Sequence, residues 1–298
     1  MMTKIPVEAI ASRRQILKFG LFAGVGATIS LVSTPTLAYE VSIDPPDPEL
    51  GDTIAVIVQP LQAAAALPRV TLDDQTYPCY PISGNRFRTL LPTSPLDSPG
   101  RKVVRVMGEE PTRNLAVWLK NRFFSTQRIT LPPDRTNLGT DYEFDRVAAF
   151  KQIVSPERLW NGPMLRPSQG RVSTPYGVRR YYNGVFAEDY YHRGVDYAAS
   201  TGSAVASPAA GNIRLVGRVA DGFELHGNTI GIDHGQGVLS IMIHLSRIDV
   251  AEGDYVQAGQ VIGAIGNTGA VTGPHLHWGL YVHGVAVDPE PWRDRGFE

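Results

Sequence analysis

Residues 273–280 have the sequence Gly-Pro-His-Leu-His-Trp-Gly-Leu. Side chains two positions apart on an extended strand lie on the same face of the sheet. This stretch therefore predicts that His275 and His277 point into one site. Two neighbouring imidazoles can form part of a metal site, although a single His-x-His pair also occurs on ordinary strands.

Three more candidate side chains lie upstream of this strand. His192 and Asp196 occur in His-Arg-Gly-Val-Asp, and His244 occurs in Ile-Met-Ile-His-Leu. On a helix His192 and Asp196 would be neighbours, but Gly194 and the β-branched Val195 disfavour a helix. In a fully extended chain their Cα atoms would lie roughly 13 Å apart at about 3.3 Å per residue, too far for one metal ion. We therefore predict a bend at Gly194, where a loop leads into a strand.

The second half of the chain predicts an all-β fold. Residues 171–289 are rich in Val, Ile and Gly, and hairpin signals recur at short intervals. These signals are Gly211-Asn212, His234-Gly235, Glu252-Gly253-Asp254, Gly259-Gln260 and Asn267. All seven histidines of the chain lie between His192 and His283, so we expect the chemistry in this half.

Residues 39–131 predict a separate all-β domain. About seven short strands between turn signals, the last at 128–131, favour a small antiparallel sandwich of immunoglobulin-like type. This stretch has no histidine, and we assign no chemistry to it. Its Cys79 is the chain's single cysteine, which excludes an internal disulfide, and we interpret it as a small buried side chain.

A connector over residues 132–164 is predicted to join this domain to a second domain at 165–298. Thr140-Asp-Tyr-Glu143 fits a capping box and predicts a helix over 141–154, which Ser155-Pro156 ends. The expected apolar side of this helix consists of Phe144, Val147 and Ala148.

The first 38 residues resemble a removable export signal. Arg13 and Arg14 in Ser-Arg-Arg-Gln-Ile-Leu-Lys resemble a twin-arginine signal, and an apolar run follows over 19–32. This run is shorter than the ~20 residues that a membrane-spanning helix needs. We therefore expect cleavage after Ala38, with no stable membrane span afterwards, rather than the alternative of retention as a membrane anchor.

The charge of the chain gives no sign of nucleic-acid binding. The formal net charge is −1, and removing the +3 of the first 38 residues leaves the remainder near −4. No basic cluster or alternating aromatic and basic stripe is present, so nucleic acid is not a predicted partner.

Motifs in the second half resemble those of the lysostaphin-type (LytM-like) zinc metallopeptidases, a family of cell-wall endopeptidases. The matching motifs are His192-x-x-x-Asp196, His244-Leu-Ser and Gly269-x-x-x-Gly-Pro-His275-Leu-His277. The glycine-rich segments 227–237 and 253–263 also resemble the family's framework. The resemblance covers about residues 165–291 and implies a lysostaphin-type antiparallel β domain.

The resemblance implies a role for each candidate side chain. His192, Asp196 and His277 would bind Zn²⁺, and His244 and His275 would be the catalytic pair. Two imidazoles and one carboxylate leave a tetrahedral zinc with one open position for water, as in catalytic zinc sites. Zinc polarises the scissile carbonyl and brings the pKa of such a water toward ~7. Histidine can accept the proton of the water or stabilise the oxyanion.

The remaining histidines receive other interpretations. We interpret His234, at a glycine-rich hairpin tip, as a supporting or structural residue, and His226 and His283 as exposed loop residues. The sequence departs from the family pattern at two places, since the family often has an aromatic residue at the position of Met242 and Phe-Glu after His-x-His. Here Trp278-Gly279 follows, which alters the expected shape of the subsites but not metal binding.

The sequence therefore predicts a zinc-dependent endopeptidase that hydrolyses peptide bonds of bacterial peptidoglycan. Its partners would be stem or cross-link peptides, and its location periplasmic or extracellular. The alternative is a non-catalytic wall-binding or hydrolase-activating module on the same fold, but such relatives typically lose metal ligands. A lipoyl or biotinyl carrier is excluded, because the last lysine of the chain is Lys151 and a carrier needs one in a later hairpin. Whether the first domain targets the substrate or covers the cleft and inhibits the activity stays open.

Overall fold

The computed structural model describes residues 39–61, 67–108, 112–130 and 138–297. The predicted export signal lies outside these residues. Within the described part, strands dominate and two short α-helices occur, which confirms the all-β prediction.

The first part of the chain contains two four-stranded antiparallel sheets. Their strands are β1 (Tyr39–Asp44), β2 (Thr53–Pro60), β3 (Arg69–Leu72), β4 (Gln75–Tyr77), β5 (Tyr80–Ile82), β6 (Arg86–Pro92), β7 (Gly100–Met107) and β8 (Arg113–Leu119). One sheet has the order β1-β2-β6-β5 and the other β4-β3-β7-β8. Val56 of the first sheet, Val104 of the second and Cys79 belong to one buried apolar cluster, so the two sheets pack as a sandwich. Its immunoglobulin-like character stays a prediction.

The strand predicted at 128–131 does not belong to the sandwich. It is β9 (Thr126–Ile129), which pairs in parallel with β11 (Arg179–Tyr182). Strand β11 also pairs with β12 (Val185–Phe186) to complete a three-stranded sheet. The partner of β9 lies about 50 residues further along the chain, so no local pattern could reveal it. This pairing places Arg180 beside the candidate site.

The predicted helix is present as α1 (Asp141–Lys151), three residues shorter than expected. Its N-cap is Thr140, whose Oγ1 accepts the backbone N–H of Glu143 at 3.1 Å. The buried side of α1 differs from the prediction, because Phe144 is 46 % exposed. The residues of α1 that are buried are Glu143, Val147 and Phe150.

The rest of the chain folds around a ten-stranded sheet. Its strands are β10 (Arg171–Thr174), β13 (Val195–Ala198), β14 (Ala204–Ala206), β15 (Gly211–Gly217), β16 (Asn228–Gly235), β17 (Val238–Ile248), β18 (Tyr255–Val256), β19 (Val261–Ile265), β20 (His275–Val282) and β21 (Val285–Val287), and α2 (Pro289–Asp294) follows. The main path has the order β10-β13-β20-β17-β16-β15-β18, while β19 and β21 join at β17 and β20. Strand β20 therefore lies between β13 and β17, in the middle of the sheet.

Buried polar contacts join the sandwich to the ten-stranded sheet. The indole N–H of Trp292 donates to Oγ1 of Thr53 at 2.9 Å, and Arg122 pairs with the buried carboxylate of Asp288 at 2.7 Å. The described part of the chain packs as one compact unit. None of its helices has the length and apolar composition that crossing a membrane requires.

Candidate metal centre and active site

Strand pairing brings the two halves of the predicted metal site together. Asp196 on β13 lies directly opposite His277 on β20 in the antiparallel register. His192 precedes β13, and the chain bends at Gly194 as predicted. A side chain at Gly194 would clash, since its Cβ would lie 2.2 Å from the Trp278 carbonyl oxygen and 2.8 Å from Nε2 of His277. Glycine thus lets the His192 loop approach β20 closely.

Three ligand atoms from these residues converge on one point. Nε2 of His192 lies 2.9 Å from Oδ1 of Asp196 and 3.0 Å from Nδ1 of His277. Nδ1 of His277 lies 2.9 Å from the same Oδ1. Ligand atoms of a tetrahedral zinc ion, each at about 2.0–2.1 Å, are roughly 3.3 Å apart, so the observed triangle suits such an ion with a small expansion.

The hydrogen bonding of His192 shows why this cluster fits a cation. Its Nδ1 lies 2.8 Å from the Pro175 carbonyl oxygen, which can only accept, so Nδ1 carries the proton. In the neutral ring Nε2 then presents a lone pair toward the carboxylate of Asp196. This contact is favourable only with a positive charge between the two atoms, which either a second ring proton or a divalent ion would supply. The chemistry of the three donors therefore fits a metal ion.

The protonation states also suit a metal ligand set. Burial alone would raise the pKa of Asp196, but the charge of a protonated His192 and hydrogen bonds from His192 and His277 lower it well below 3.8. Burial lowers the pKa of His277 from 6.5 to about 4, although Asp196 opposes this shift. At neutral pH the site thus presents a carboxylate and a neutral imidazole, the forms that bind metal ions.

Two further histidines stand beside the three ligand atoms. The ring centroids of His244 on β17 and His275 on β20 are 5.0 Å apart, and His244 is 6.4 Å from His277. Nδ1 of His244 donates to the Thr268 carbonyl at 2.9 Å, and Nδ1 of His275 donates to the Gly273 carbonyl at 2.8 Å. These bonds fix the tautomers and leave Nε2 of each ring as the basic atom. Nε2 of His275 lies 3.8 Å from Oδ1 of Asp196, so it faces the ligand cluster.

His244 has an unusual backbone conformation. Its φ is +69°, in the left-handed region that non-glycine residues seldom adopt. Two bonds hold it there, the ring bond to Thr268 and a bond of 3.0 Å from its backbone N–H to the His226 carbonyl. Backbone strain of this kind persists where surrounding contacts fix it, and it concentrates at functional sites.

One family model matches the region that contains this site. Residues 190–289, which contain all five predicted site residues, match the model of peptidase family M23. We refer to this matched region as the M23 domain.

Relatives of the M23 domain include two curated proteins. The DD-carboxypeptidase/endopeptidase Mpg of Neisseria meningitidis serogroup B is 40% identical over 119 residues, covering 40% of this chain and 26% of the relative. The peptidoglycan DD-endopeptidase ShyC of Vibrio cholerae is 35% identical over 119 residues, with the same two shares. The chain thus spans about a quarter of the length of these relatives.

One solved structure resembles most of the chain. It comes from Pseudomonas aeruginosa, is assigned to peptidase M23 and is 25% identical, with a TM-score of 0.62. The likeness covers 86% of this chain and 97% of that one. It therefore extends beyond the M23 domain into the sandwich.

A buried carboxylate outside the M23 domain supports the loop next to His244. Oε2 of Glu143 accepts the backbone N–H groups of Glu224 and Leu225 at 3.1 and 3.0 Å. Its Oε1 accepts the backbone N–H of His226 at 2.7 Å and the Nδ1–H of the His226 ring at 2.6 Å. Burial alone would raise the pKa of Glu143, but these hydrogen bonds outweigh burial and the pKa lies below 4.5. Helix α1 thereby holds the loop whose carbonyl binds the His244 backbone.

The sequence did not predict these contacts of Glu143 with residues 224–226. The capping box marked Glu143 only as a helix residue, and His226 was expected to be an exposed loop residue. In the structure His226 is half-buried and bonded to Glu143, so that expectation was wrong. His283 is likewise mostly buried, and burial lowers its pKa to about 4. His234 is fully buried between the Ala210 carbonyl and Oγ of Ser240, as its structural interpretation predicted.

The M23 domain and its surroundings enclose a cleft of about 740 Å³ along the five site residues. Arg180 of β11 reaches it and lies 3.9 Å from Oδ2 of Asp196. Its Nη1 also donates to the hydroxyls of Tyr182 and Tyr190, each at 3.2 Å. No local pattern pointed to Arg180, because the pairing of β9 with β11 brings it to the cleft.

Proposed function

We propose that this chain is a zinc-dependent endopeptidase that hydrolyses peptide bonds in bacterial peptidoglycan. His192, Asp196 and His277 would hold the zinc ion, and His244 and His275 would act on the reacting groups. One observation carries the proposal: three ligand atoms 2.9–3.0 Å apart stand beside two imidazoles whose Nε2 atoms are free to react.

A zinc ion bound here would polarise the scissile carbonyl and lower the pKa of a nearby water. The protein's own contribution is to keep two bases ready at fixed positions. Burial, followed by the nearby His275 and His277, holds the pKa of His244 well below 6.5, so that its ring is neutral at pH 7. A neutral Nε2 accepts a proton during attack, and the protonated ring then donates to the oxyanion or to the leaving amine.

The choice of substrate is supported by the named relatives. Mpg is described as a DD-carboxypeptidase/endopeptidase and ShyC as a peptidoglycan DD-endopeptidase. We extend that substrate class to this chain as a proposal, since the shared region is about a quarter of each relative. Export by the twin-arginine route, cleavage after Ala38 and action in the periplasm or outside the cell belong to the same proposal.

The non-catalytic alternative receives less support. A wall-binding or activating module does not need five polar side chains in reacting positions, and this chain keeps all five. Bonds to backbone carbonyls also fix the tautomers of His192, His244 and His275.

Digestion of purified peptidoglycan tests the proposal. The purified protein should release peptide fragments, which mass spectrometry identifies by the added mass of one water per cleaved bond. A chelator should stop the release and added zinc should restore it. Binding to peptidoglycan without any fragment release would favour the module instead.

A further inference from the structure

The cleft contains two positive side chains without a carboxylate partner. Lys151, Arg180 and Arg193 all line it, but Arg180 already faces Asp196 and two tyrosine hydroxyls. Throughout the described residues, no carboxylate lies within ion-pair distance of Lys151 or Arg193. Partly buried cations are normally paired, so these two point to a charge that the protein itself does not supply.

Both cations lie near the end of β20 that contains Gly279 and Tyr281, since the Arg193 carbonyl oxygen would lie 3.0 Å from a Cβ at Gly279. Strand β20 forms part of the cleft floor with alternate residues His275, His277, Gly279 and Tyr281 on one face. Nζ of Lys151, the last residue of α1, lies 5.0 Å from the ring centroid of Tyr281. The guanidinium of Arg193, the residue after His192, lies 5.6 and 5.8 Å from the ring centroids of Tyr190 and Tyr191.

The two positive charges act on each other. Burial, and then the charge of Arg193, lowers the pKa of Lys151 from 10.5 to about 8. Two cations that repel each other in a shared, partly dry cleft gain free energy when an anion enters between them. Arginine binds a carboxylate through two parallel N–H groups, and lysine adds a compact point charge.

We propose that Lys151 and Arg193 form a subsite that binds a carboxylate of the substrate peptide. The proposal rests on the proposed function, because it takes the substrate to be a peptide lying along β20. The Cα of Tyr281 is four residues from that of His277, roughly 13 Å along the strand. The bound carboxylate therefore belongs to a group two to four residues from the scissile bond, either on a side chain or at the peptide's C-terminus.

A structural role for these cations makes a different prediction. Lys151 also lies at the C-terminal end of α1, where a positive charge stabilises the helix, and its contact with Tyr281 is a cation–π contact. Loss of such contacts would lower stability and would reduce activity on every substrate alike. Discrimination between charged and neutral substrates separates the two explanations.

The test compares muropeptide dimers released from purified peptidoglycan in three forms: unmodified, amidated at side-chain carboxylates, and amidated at the C-terminus. We expect the zinc-loaded full chain to cleave the unmodified dimer at least ~10-fold faster in kcat/KM than one of the amidated forms, mainly through KM. The amidated form that is cleaved more slowly than the unmodified dimer identifies which carboxylate binds. Lys151→Met and Arg193→Met should each reduce the ratio toward one. Arg214→Met should leave it unchanged, because Arg214 is exposed on β15 and outside the cleft.

A wild-type ratio near one, or variants that slow all forms equally, would overturn the subsite. If the wild type cleaves none of the dimers, the proposed reaction itself fails, and binding then decides about the subsite. Fluorescence anisotropy with labelled dimers should still show the unmodified form binding ~10-fold more tightly than an amidated form. Lys151→Met should abolish that preference. Equal dissociation constants of the wild type for the unmodified and amidated dimers would refute the subsite.

Discussion

Replacing Glu143 with alanine removes the carboxylate that binds residues 224–226. Its two oxygens accept three backbone N–H groups and one ring nitrogen from residues 224–226. Glu143 itself is completely buried, whereas Glu224 is exposed and the next two residues are half-buried. Water can therefore reach some, but not all, of the donors that lose their acceptor.

The expected loss follows from these bonds. A buried donor left without a partner costs about 1–3 kcal/mol, and access to water brings each of the three backbone donors to the lower end of this range. We therefore expect Glu143→Ala to lower the free energy of unfolding by about 2–4 kcal/mol, which corresponds to a fall in Tm of roughly 5–10 °C at this chain size. Urea denaturation followed by circular dichroism measures the loss.

Asp145→Ala is the matched control, because Asp145 is an exposed carboxylate on the same helix. The pH dependence adds a second check. Since the pKa of Glu143 is lowered, its contribution is complete above the ordinary value of 4.5 and disappears as the pH falls through the folded-state pKa. The difference between wild type and Glu143→Ala should therefore narrow below about pH 4.5. If Glu143→Ala had the same unfolding free energy as Asp145→Ala at pH 7, the stabilising role of the contacts between Glu143 and residues 224–226 would be refuted.

Four further predictions follow from the site and the sequence. His275→Ala should retain zinc yet lose ~10²–10⁴ in kcat, and ordinary turnover with a full zinc content would contradict its role. His192→Ala should bind no zinc in a metal analysis of the dialysed protein, whereas stoichiometric zinc would place the ion elsewhere. Burial lowers the pKa of His234 to about 4, so the unfolded state binds more protons than the folded state below pH 6.5. The unfolding free energy of the wild type should therefore fall more steeply with acid than that of His234→Gln, and equal slopes of this free energy against pH would contradict the prediction. Replacing Arg13 and Arg14 by lysine should leave precursor inside the cell, and undiminished export would exclude the twin-arginine route.

The grouping of the candidate site residues could be predicted in part from the sequence, because short-range geometry determines much of their placement. Strand alternation put His275 and His277 on one face, and the bend at Gly194 brought His192 within 2.9 Å of Asp196. What the sequence did not show is why Gly194 must be glycine, since the reason is the distant Trp278 carbonyl. The roles carried over for these residues remain predictions until metal and activity are measured.

The supporting contacts could not be predicted, because they join distant parts of the chain. Glu143 and His226 are 83 residues apart, and a carboxylate on a helix gives no local sign that it will be buried. The same dependence on distant contacts explains the wrong prediction for α1. Apolar periodicity placed Phe144 on the buried side of the helix, whereas Glu143 is buried and Phe144 is exposed. This dependence also explains why the pairing of β9 with β11, and thus the position of Arg180, was missed.

A single metal ion held by His192, Asp196 and His277 is central to the proposed reaction. Diffraction from crystals grown with zinc, collected on both sides of the zinc absorption edge, tests this directly. We expect a single strong anomalous peak at about 2.0–2.2 Å from Nε2 of His192, Oδ1 of Asp196 and Nδ1 of His277. A map without a peak among these atoms, or with its main peak elsewhere, would contradict the account.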